Sequence, residues 1–531
     1  MAEFDYIIVG AGSAGCVLAE RLSADPRNQV LLIEEGGRGD HWITEMPKGF
    51  GKTTSDPATA HFIPTTNKRG AGPETWVRGK MLGGSSGING MVWNRGAAED
   101  YDRLAELAGP QWSWSEMLPY LRGLENHRMG ESDTRGVGGP IEISNHPAPS
   151  PLTHAWIEAG AQLGLPVKEE HSVRAQEGIG LMQWNIDRRG RRVSSARAFL
   201  KRAEGRSNLT IASGVRTDRL IIRNHRVVGV EGMRDGQPVT YAARGEVILS
   251  AGAIGSPRIL QLSGIGDPQV LSAAGVPVVL ESPSVGRHFR EHLLINHNFR
   301  LRDPRHSQNA AYGGLALLKN VISHVLFGKG PMSYGSTEAA AFVRVLPDAQ
   351  RPDTQIMFQP YSLDPNSGLA FEKEPGMSLY AFKLRPSSEG TVFIGSADPA
   401  APLVINPNYL GEEEDRRAAI NSTRFIRNLM KQPAIAAFTS GEVAPTAGKE
   451  SDEEILALYH ERGQAGYHGT ATVKMGRDNS APLDGNLRVR GIEGLRVVDL
   501  SVFPEMIAGN TNAPTMGMAA RAADLILAER K

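Results

Sequence analysis

A single cysteine, Cys16, occurs in 531 residues. No disulfide can form within such a chain, and a cysteine-based metal site has no ligand set. The 14 histidines are scattered and no HExxH run occurs, so no metal site is expected. Net charge is also lacking: Lys+Arg and Asp+Glu are 58 each. A nucleic-acid partner needs a basic excess on one face, and none is expected. No run of about 18 or more apolar residues appears, so no transmembrane span is expected. No basic segment followed by an apolar one is read near Met1, which makes the cytoplasm the expected compartment. The sequons at Asn208 and Asn421 are then read as chance matches. No internal repeat and no low-complexity linker divides the chain, so its parts should pack as one body.

What is present suffices for a large core, with 40% hydrophobic residues. A chain of this length is expected to divide into two domains, one of them discontinuous. The apolar run 315–327 (LALLKNVISHVLF) carries one lysine between glycine-rich flanks. It reads either as a core helix or as a surface helix at a channel mouth, a subunit contact or a peripheral membrane contact. In the last case the protein would sit at the inner face of the membrane.

Residues 5–9 (DYIIV) read as a short buried strand, followed by Gly10-Ala11-Gly12-Ser13-Ala14-Gly15 and a helical pattern. This order gives a GxGxxG run its meaning. Gly10 permits the tight turn, Gly12 lets backbone approach a pyrophosphate, and Gly15 lets helix and strand pack closely. Free N–H groups at Ser13 and Ala14 then face the phosphates. The next strand ends at Glu34, placed to accept from a ribose 2′-hydroxyl. Glu35 is the fallback, although alternation should point it the other way. The motif alone does not separate FAD from NAD. A second run, 78–96 (RGKMLGGSSGINGMVWNRG), is dense in Gly, Ser and Asn and suits close approach of backbone to a ligand.

These runs resemble the glucose–methanol–choline (GMC) flavin oxidoreductases. GAGSAG with Glu34 resembles the family's FAD fingerprint, and residues 78–96 its first signature. Residues 252–266 (GAIGSPRILQLSGIG) resemble its second. Residues 285–292 (VGRHFREH) resemble its VGxNLxDH element, with Phe289 and Glu291 as departures. Tyr467-His468, Leu495 to Asp499 and Asn510-Thr-Asn512-Ala513-Pro514-Thr follow in family order. The resemblance implies an α/β protein with a Rossmann-like FAD-binding domain. Its second domain is an α+β substrate part on a mostly antiparallel sheet flanked by helices. The expected division is residues 1–155, 190–300 and 466–531 for FAD, and 156–189 and 301–465 for substrate. Residues 377–384 and 387–396 read as a hairpin in the second domain.

Site roles implied by the resemblance are specific. Gly10, Gly12, Ser13, Ala14, Gly15 and Glu34 hold the ADP half, and Val215 touches the adenine through its backbone. Gly84, Asn89, Gly90, Met91 and Val92 line the isoalloxazine ring. Asp499 sits near the ribityl or pyrophosphate. Asn512 is expected to cap a helix whose first turn carries Ala513 and Pro514. That N-terminus points at the flavin, where its N–H groups stabilise negative charge. The position that holds a flavin-linked histidine in some members is Gly87 here, so non-covalent FAD is implied.

Alcohol oxidation requires a base for the hydroxyl proton, and a neutral imidazole has a suitable pKa. His468 aligns with the family's first catalytic histidine. Asn510 takes the second position, where an amide can donate to the substrate oxygen but not act as a base. The alternative role for Asn510 is capping the turn before Asn512. His292 reads as structural or supporting. Trp93, Phe358 and Tyr467 are candidate substrate-pocket residues, beside Met357 and Tyr361. The expected reaction oxidises a small-molecule primary alcohol to the aldehyde, with O2 or a quinone-like carrier as acceptor. No acidic cluster offers a cage for a quaternary ammonium group, which favours a neutral alcohol over choline. The alternative activity is a hydroxynitrile-lyase-like reaction on the same scaffold without net redox.

Overall fold

The computed structural model describes residues 3–69, 72–364 and 370–529. Two sheets organise it. Their strands, in chain order, are β1 (Glu3–Val9), β2 (Val30–Glu34), β3 (Gly178–Leu181), β4 (Leu209–Ser213), β5 (Val215–Arg223), β6 (Arg226–Arg234) and β7 (Gln237–Leu249). Then come β8 (Leu293–Leu301), β9 (Ala339–Val343), β10 (Thr354–Gln359), β11 (Gly376–Lys383), β12 (Thr439–Glu442), β13 (Gln464–Ala465) and β14 (Leu495–Val497). The helices that matter for the site are α1 (Ser13–Leu22), α2 (Pro151–Gln162), α3 (Gly252–Leu262), α4 (Gly314–Phe327), α5 (Glu413–Met430) and α6 (Asn512–Glu529).

The first sheet runs β4-β2-β1-β7-β6-β5, and β14 also pairs with β7. Its β4, β2, β1, β7 and β14 pairings are parallel, whereas β7-β6 and β6-β5 are antiparallel. β1 is apolar from Tyr6 to Val9 because it lies between two neighbours and under helices on its faces. α1, α6 and the parallel strands share one core, which includes Ile7, Ile8, Leu18, Val247 and Met518. The second sheet runs β12-β8-β11-β10-β9-β3, all antiparallel, with β13 added beside β8. α2 and α5 cover one face of it, burying Trp156, Ile356, Phe358 and Ile426 together. Its other face turns toward the first unit, through Met357, Phe382, Val92 and Ala508. The architecture is the expected mixed α/β fold.

Three expected details change. Leu293–Leu301 is one strand, and it pairs with β11 and β12 of the second sheet. A boundary at residue 300 would cut that strand, so it moves to the start of β8. The boundary at 155 falls inside α2, whose Leu152, Ala155 and Trp156 all join the second core. The hairpin expected between residues 377–384 and 387–396 does not form. Thr391–Ile394 pairs instead with Leu403–Asn406. Pro386 lacks an N–H, and the Ser387 and Ser388 amides are taken by Asp415 at 2.9 and 2.7 Å. The chain therefore leaves the sheet after Lys383.

Among the described residues no helix is long and apolar enough to cross a membrane. The run 315–327 is α4, stopped by Gly328 in the left-handed conformation (φ 63°). Its outward side is exposed rather than covered, which removes the core-helix alternative.

Candidate active site

The glycine turn is built by backbone contact. A Cβ on Gly10 would lie 2.5 Å from the Ser250 carbonyl oxygen, and one on Gly15 would overlap the Gly10 carbonyl. Gly12 differs, because among the described residues a Cβ there would meet no atom within 4 Å. Its lack of a side chain keeps space open above the first turn of α1, where no side chain caps the helix. Next to that space the buried Asn512 Nδ2 has no partner among the described residues, while its Oδ1 accepts from Ser13 Oγ at 2.7 Å. An open cradle, uncapped N–H groups and an orphaned donor fit the pyrophosphate of a dinucleotide. Asn512 is not the helix cap as expected. The Thr511 carbonyl accepts the first helical bond, from Thr515 at 3.1 Å, so Asn512 lies in the first turn with Ala513 and Pro514.

Glu34 ends β2 with both oxygens held by backbone: Ala11 N–H at 3.0 Å and Gly36 N–H at 2.8 Å. Burial pushes its carboxyl up to about 7, against those two N–H groups. Glu35 turns away, toward His61. β4 pairs Ser213 with Glu34, which brings the start of β5 at Val215 to the same sheet end. Asp499 accepts from Gly252 N–H at 2.8 Å and from Ser256 Oγ at 2.5 Å, tying the end of β14 to the N-terminus of α3. Gly84 lies against Gly12, where its Cβ would come within 2.8 Å of the Gly12 Cα. That approach joins Gly84 to the glycine turn. Asn89 Oδ1 accepts from Met91 N–H and from Arg192 Nη1, at 3.0 and 2.8 Å. Met91 holds a left-handed φ of 61° and is fully buried. The Gly90 carbonyl meets Ser336 Oγ at 3.2 Å, and Val92 joins the core between the two units.

The three expected pocket residues take three different settings. Trp93 turns into the core of the first unit, where its indole donates to Glu125 Oε1 at 2.7 Å. Val92 and Trp93 alternate, so placing one toward the site sends the other away. Phe358 stacks on Trp156 at 5.2 Å, beneath the helices on the far face of the second sheet. Met357, Gln355 and Gln359 occupy the opposite pleat, and Met357 packs with Phe382 facing the first unit. The Tyr467 ring is exposed at the surface, 5.5 Å from the Arg78 guanidinium. Tyr361 is buried beneath α4, its hydroxyl donating to the Ser336 carbonyl at 2.6 Å.

Residues 466–470 run antiparallel to 290–292, which sets His468 opposite His292. Gly466 N–H donates to the His292 carbonyl at 2.7 Å, and Arg290 and Thr470 exchange both backbone bonds. Glu291 fastens the two segments, its Oε1 accepting the backbone N–H groups of His292 (2.9 Å) and His468 (2.7 Å). Burial pushes its carboxyl up to about 7, opposed by Arg78 and those N–H groups.

The side chains then form a chain of bonds with one consistent proton arrangement. His292 Nε2 lies 3.0 Å from the Leu384 carbonyl, which can only accept. The His292 proton is therefore on Nε2 and its Nδ1 is bare. That Nδ1 lies 2.9 Å from His468 Nδ1, so His468 donates from Nδ1 and its Nε2 is bare. Asn510 Nδ2 faces this Nε2 at 3.2 Å, and Asn510 Oδ1 lies 3.5 Å from Gln355 Nε2. The Asn510 amide faces the imidazole, which disfavours the turn-capping alternative. Burial is the main reason both rings stay neutral. It lowers His292 to about 4, and it holds His468 well below the ordinary imidazole value, helped by His292 and Arg78. Phe382 stacks on His292 at 4.3 Å and fixes that ring.

The sequence reading missed Glu291, Gln355 and Phe382. Glu291 had a signal, as an acid beside His292 in a matched motif. Gln355 had a weaker one, a polar residue alternating with Met357 in a strand otherwise buried.

The GMC oxidoreductase family models match residues 4–294 and 386–519. The chain belongs to the GMC oxidoreductases. It is 38% identical over 532 residues to an oxygen-dependent choline dehydrogenase of Photobacterium profundum, covering 99% of this chain and 93% of that one. A protein of the same name from Escherichia coli K12 is 37% identical, over 99% and 95%. Among solved structures, pyridoxine 4-oxidase from Mesorbium loti superposes with a TM-score of 0.88 at 31% identity, covering 98% of this chain and 99% of that one. A formate oxidase gives 0.91 at 26%, over 100% and 99%. The chain is thus an FAD-dependent oxidoreductase acting on CH–OH donors. These relatives are dehydrogenases and oxidases, and none favours the lyase alternative.

Proposed function

We propose that this GMC oxidoreductase oxidises a neutral primary alcohol to its aldehyde, with His468 as the base and Asn510 as the donor to the alcohol oxygen. The observation that carries the reading is the bare His468 Nε2 beside the Asn510 amide. A hydroxyl entering there donates its proton to Nε2 and accepts from Asn510 Nδ2. As negative charge develops on the oxygen, the amide bond strengthens and the imidazole takes the proton. His292 keeps the other face of the ring as a donor, so the charged imidazolium is oriented and partly stabilised. FAD, when bound, would supply the hydride acceptor. Gly12, Ser13, Glu34, Val215 and Asn512 would hold its ADP half, and Asn89 to Val92 its ring. Gly87 offers no imidazole for a covalent link, which supports non-covalent FAD.

A neutral substrate fits the groups around the pair. Gln355, Met357 and Phe382 are uncharged. The nearby carboxylates are engaged: Glu291 by two backbone N–H groups, and Asp100 by Arg351, Arg385 and the Ala508 N–H. The relatives' name makes choline the second reading. Anaerobic visible spectra before and after adding primary alcohols and choline decide between them. Bleaching by neutral alcohols alone supports the proposal, and bleaching by choline alone overturns it. Admitting air, or a quinone in its place, then identifies the acceptor. Acid precipitation should leave the yellow flavin in the supernatant, and colour in the pellet would refute non-covalent binding.

A further inference from the structure

α4 reverses the usual pattern of a surface helix. An ordinary one buries its apolar stripe and shows polar residues to water. Here Leu317 and Val321 pack inward on Met46, Tyr312, Met332 and Tyr361. Leu315, Leu318, Ile322, Val325, Leu326 and Phe327 point outward, each 48–86% exposed. Leu315, Leu318, Ile322, Val325 and Leu326 recur at three- and four-residue spacing and share one line on the helix surface, and Phe327 stands at the helix end. The helix is already anchored: His324 Nδ1 bonds Ser333 Oγ at 2.9 Å and Gly328 caps the end. Its outward face is therefore not waiting to fold inward.

The surrounding charge says what covers it. No Asp or Glu occurs from Pro304 to Thr337, in a chain whose acids and bases are equal in number overall. Lys319 emerges within the apolar line, and Lys329 just past its end, both exposed. Arg189 backbone packs against Gly328, carrying the exposed Arg188 and Arg189 to the same corner. Among the described residues none of these four cations has a carboxylate within ion-pair distance. The exposed Trp42 is tied to that corner as well. It lies three residues before Glu45, whose carbonyl accepts from Arg192 N–H at 2.7 Å and whose carboxylate faces Arg191. Apolar chains ringed by cations and an aromatic residue are the composition that lies in a lipid interface. A second copy fits less well, since it would bring like-charged rims together. The stripe is also too small: 14 residues span about 21 Å, or roughly 200 Å² at helix width. A stable protein interface needs about 800 Å² per partner.

We propose that the outward face of α4 docks on an anionic lipid bilayer, with Leu315, Leu318, Ile322, Val325, Leu326 and Phe327 inserted and Lys319, Lys329, Arg188 and Arg189 at the headgroups. The proposal stands independently of the alcohol reading. The test is flotation of the FAD-loaded protein with vesicles of phosphatidylcholine, alone or mixed with phosphatidylglycerol. The parent should float with the mixed vesicles and less so in high salt. Leu318→Gln with Phe327→Gln should lower that partition by about tenfold or more, with FAD content, melting temperature and alcohol-driven flavin bleaching unchanged. Lys319→Glu with Lys329→Glu should remove the preference for phosphatidylglycerol. A parent that floats with neither vesicle overturns the proposal. So does a double glutamine variant that floats like the parent. Sedimentation showing a dimer that the glutamine variant abolishes, without vesicle binding, would assign the face to a second copy and overturn it equally.

Discussion

The glycine turn and the histidine corner hold their ligands by different means. At residues 10–15 the protein supplies backbone and empties space, so side chains are excluded from it. At residues 291–292, 468 and 510 it supplies side chains whose protons are ordered by one another. The first region should respond to added bulk and the second to changed protonation. Substitutions in each should therefore separate cofactor retention from chemistry.

His468→Ala is the largest expected break in that separation. Flavin reduction by a competent alcohol should slow by about 10²- to 10⁴-fold, the scale for losing a general base. FAD content should match the parent, because nothing in the glycine turn touches His468. A variant reduced at the parent rate would refute the base assignment. Glu291→Gln tests the corner through stability. The Glu291 carboxyl is raised to about 7 by burial, from 4.5 when unfolded. Its stabilising contribution is then full below about 4.5 and is lost as pH rises through about 7. The parent should lose about 2–3 kcal/mol more than the variant between pH 4.5 and pH 8, measured by denaturant unfolding of both. Equal pH dependence in parent and variant would show that the carboxyl ionises in the fold as it does in water.

Gly12→Ala sharpens the other side. A Cβ there meets no atom of the described residues within 4 Å, and the residue's φ of −80° suits alanine. The apoprotein should keep its stability within about 1 kcal/mol, while affinity for FAD falls by about tenfold or more because the pyrophosphate approaches that atom. Titration of the apoprotein with FAD reads the second effect directly. Unchanged affinity would mean that the open space above α1 is not the phosphate cradle.

The same contrast explains what could be read before the structure. The glycine turn was legible because each glycine answers a local steric demand, written in consecutive residues. His468 and Asn510 were legible by motif, although the bond between them spans 42 positions. Gly84 was grouped with Asn89 to Val92 because one motif supplies them all, whereas its contact with Gly12 joins segments 72 positions apart and only the fold reveals it. Phe358 was chosen over Met357 because both are apolar in a strand buried on both faces, where alternation fixes two sets and not which set faces the site. Trp93 and Tyr467 were chosen for adjacency to motif residues, and adjacent residues in extended chain point apart. α4 left two readings open because an apolar helix of that length carries no mark of which side meets the core.

The smallest effect belongs to His292, and it tests the proton order itself. His292→Leu removes the acceptor for His468 Nδ1–H, so the His468 ring can turn or take its other tautomer. The rate of flavin reduction should fall by about tenfold, near the worth of one buried hydrogen bond. His292→Asn places an amide oxygen near the lost Nδ1 and should recover most of that rate. Plain loss of packing would not be rescued, since asparagine fills no more of the space against Phe382 than leucine does. Nitrogen-15 spectra of histidine-labelled protein supply the direct measurement. His468 should carry its proton on Nδ1 in the parent and the Asn variant, and lose that preference in the Leu variant. A parent with His468 protonated on Nε2 would overturn that proton order, since His292 would then have to donate from Nδ1 and lose its bond to the Leu384 carbonyl, and Asn510 would have to turn its oxygen to His468.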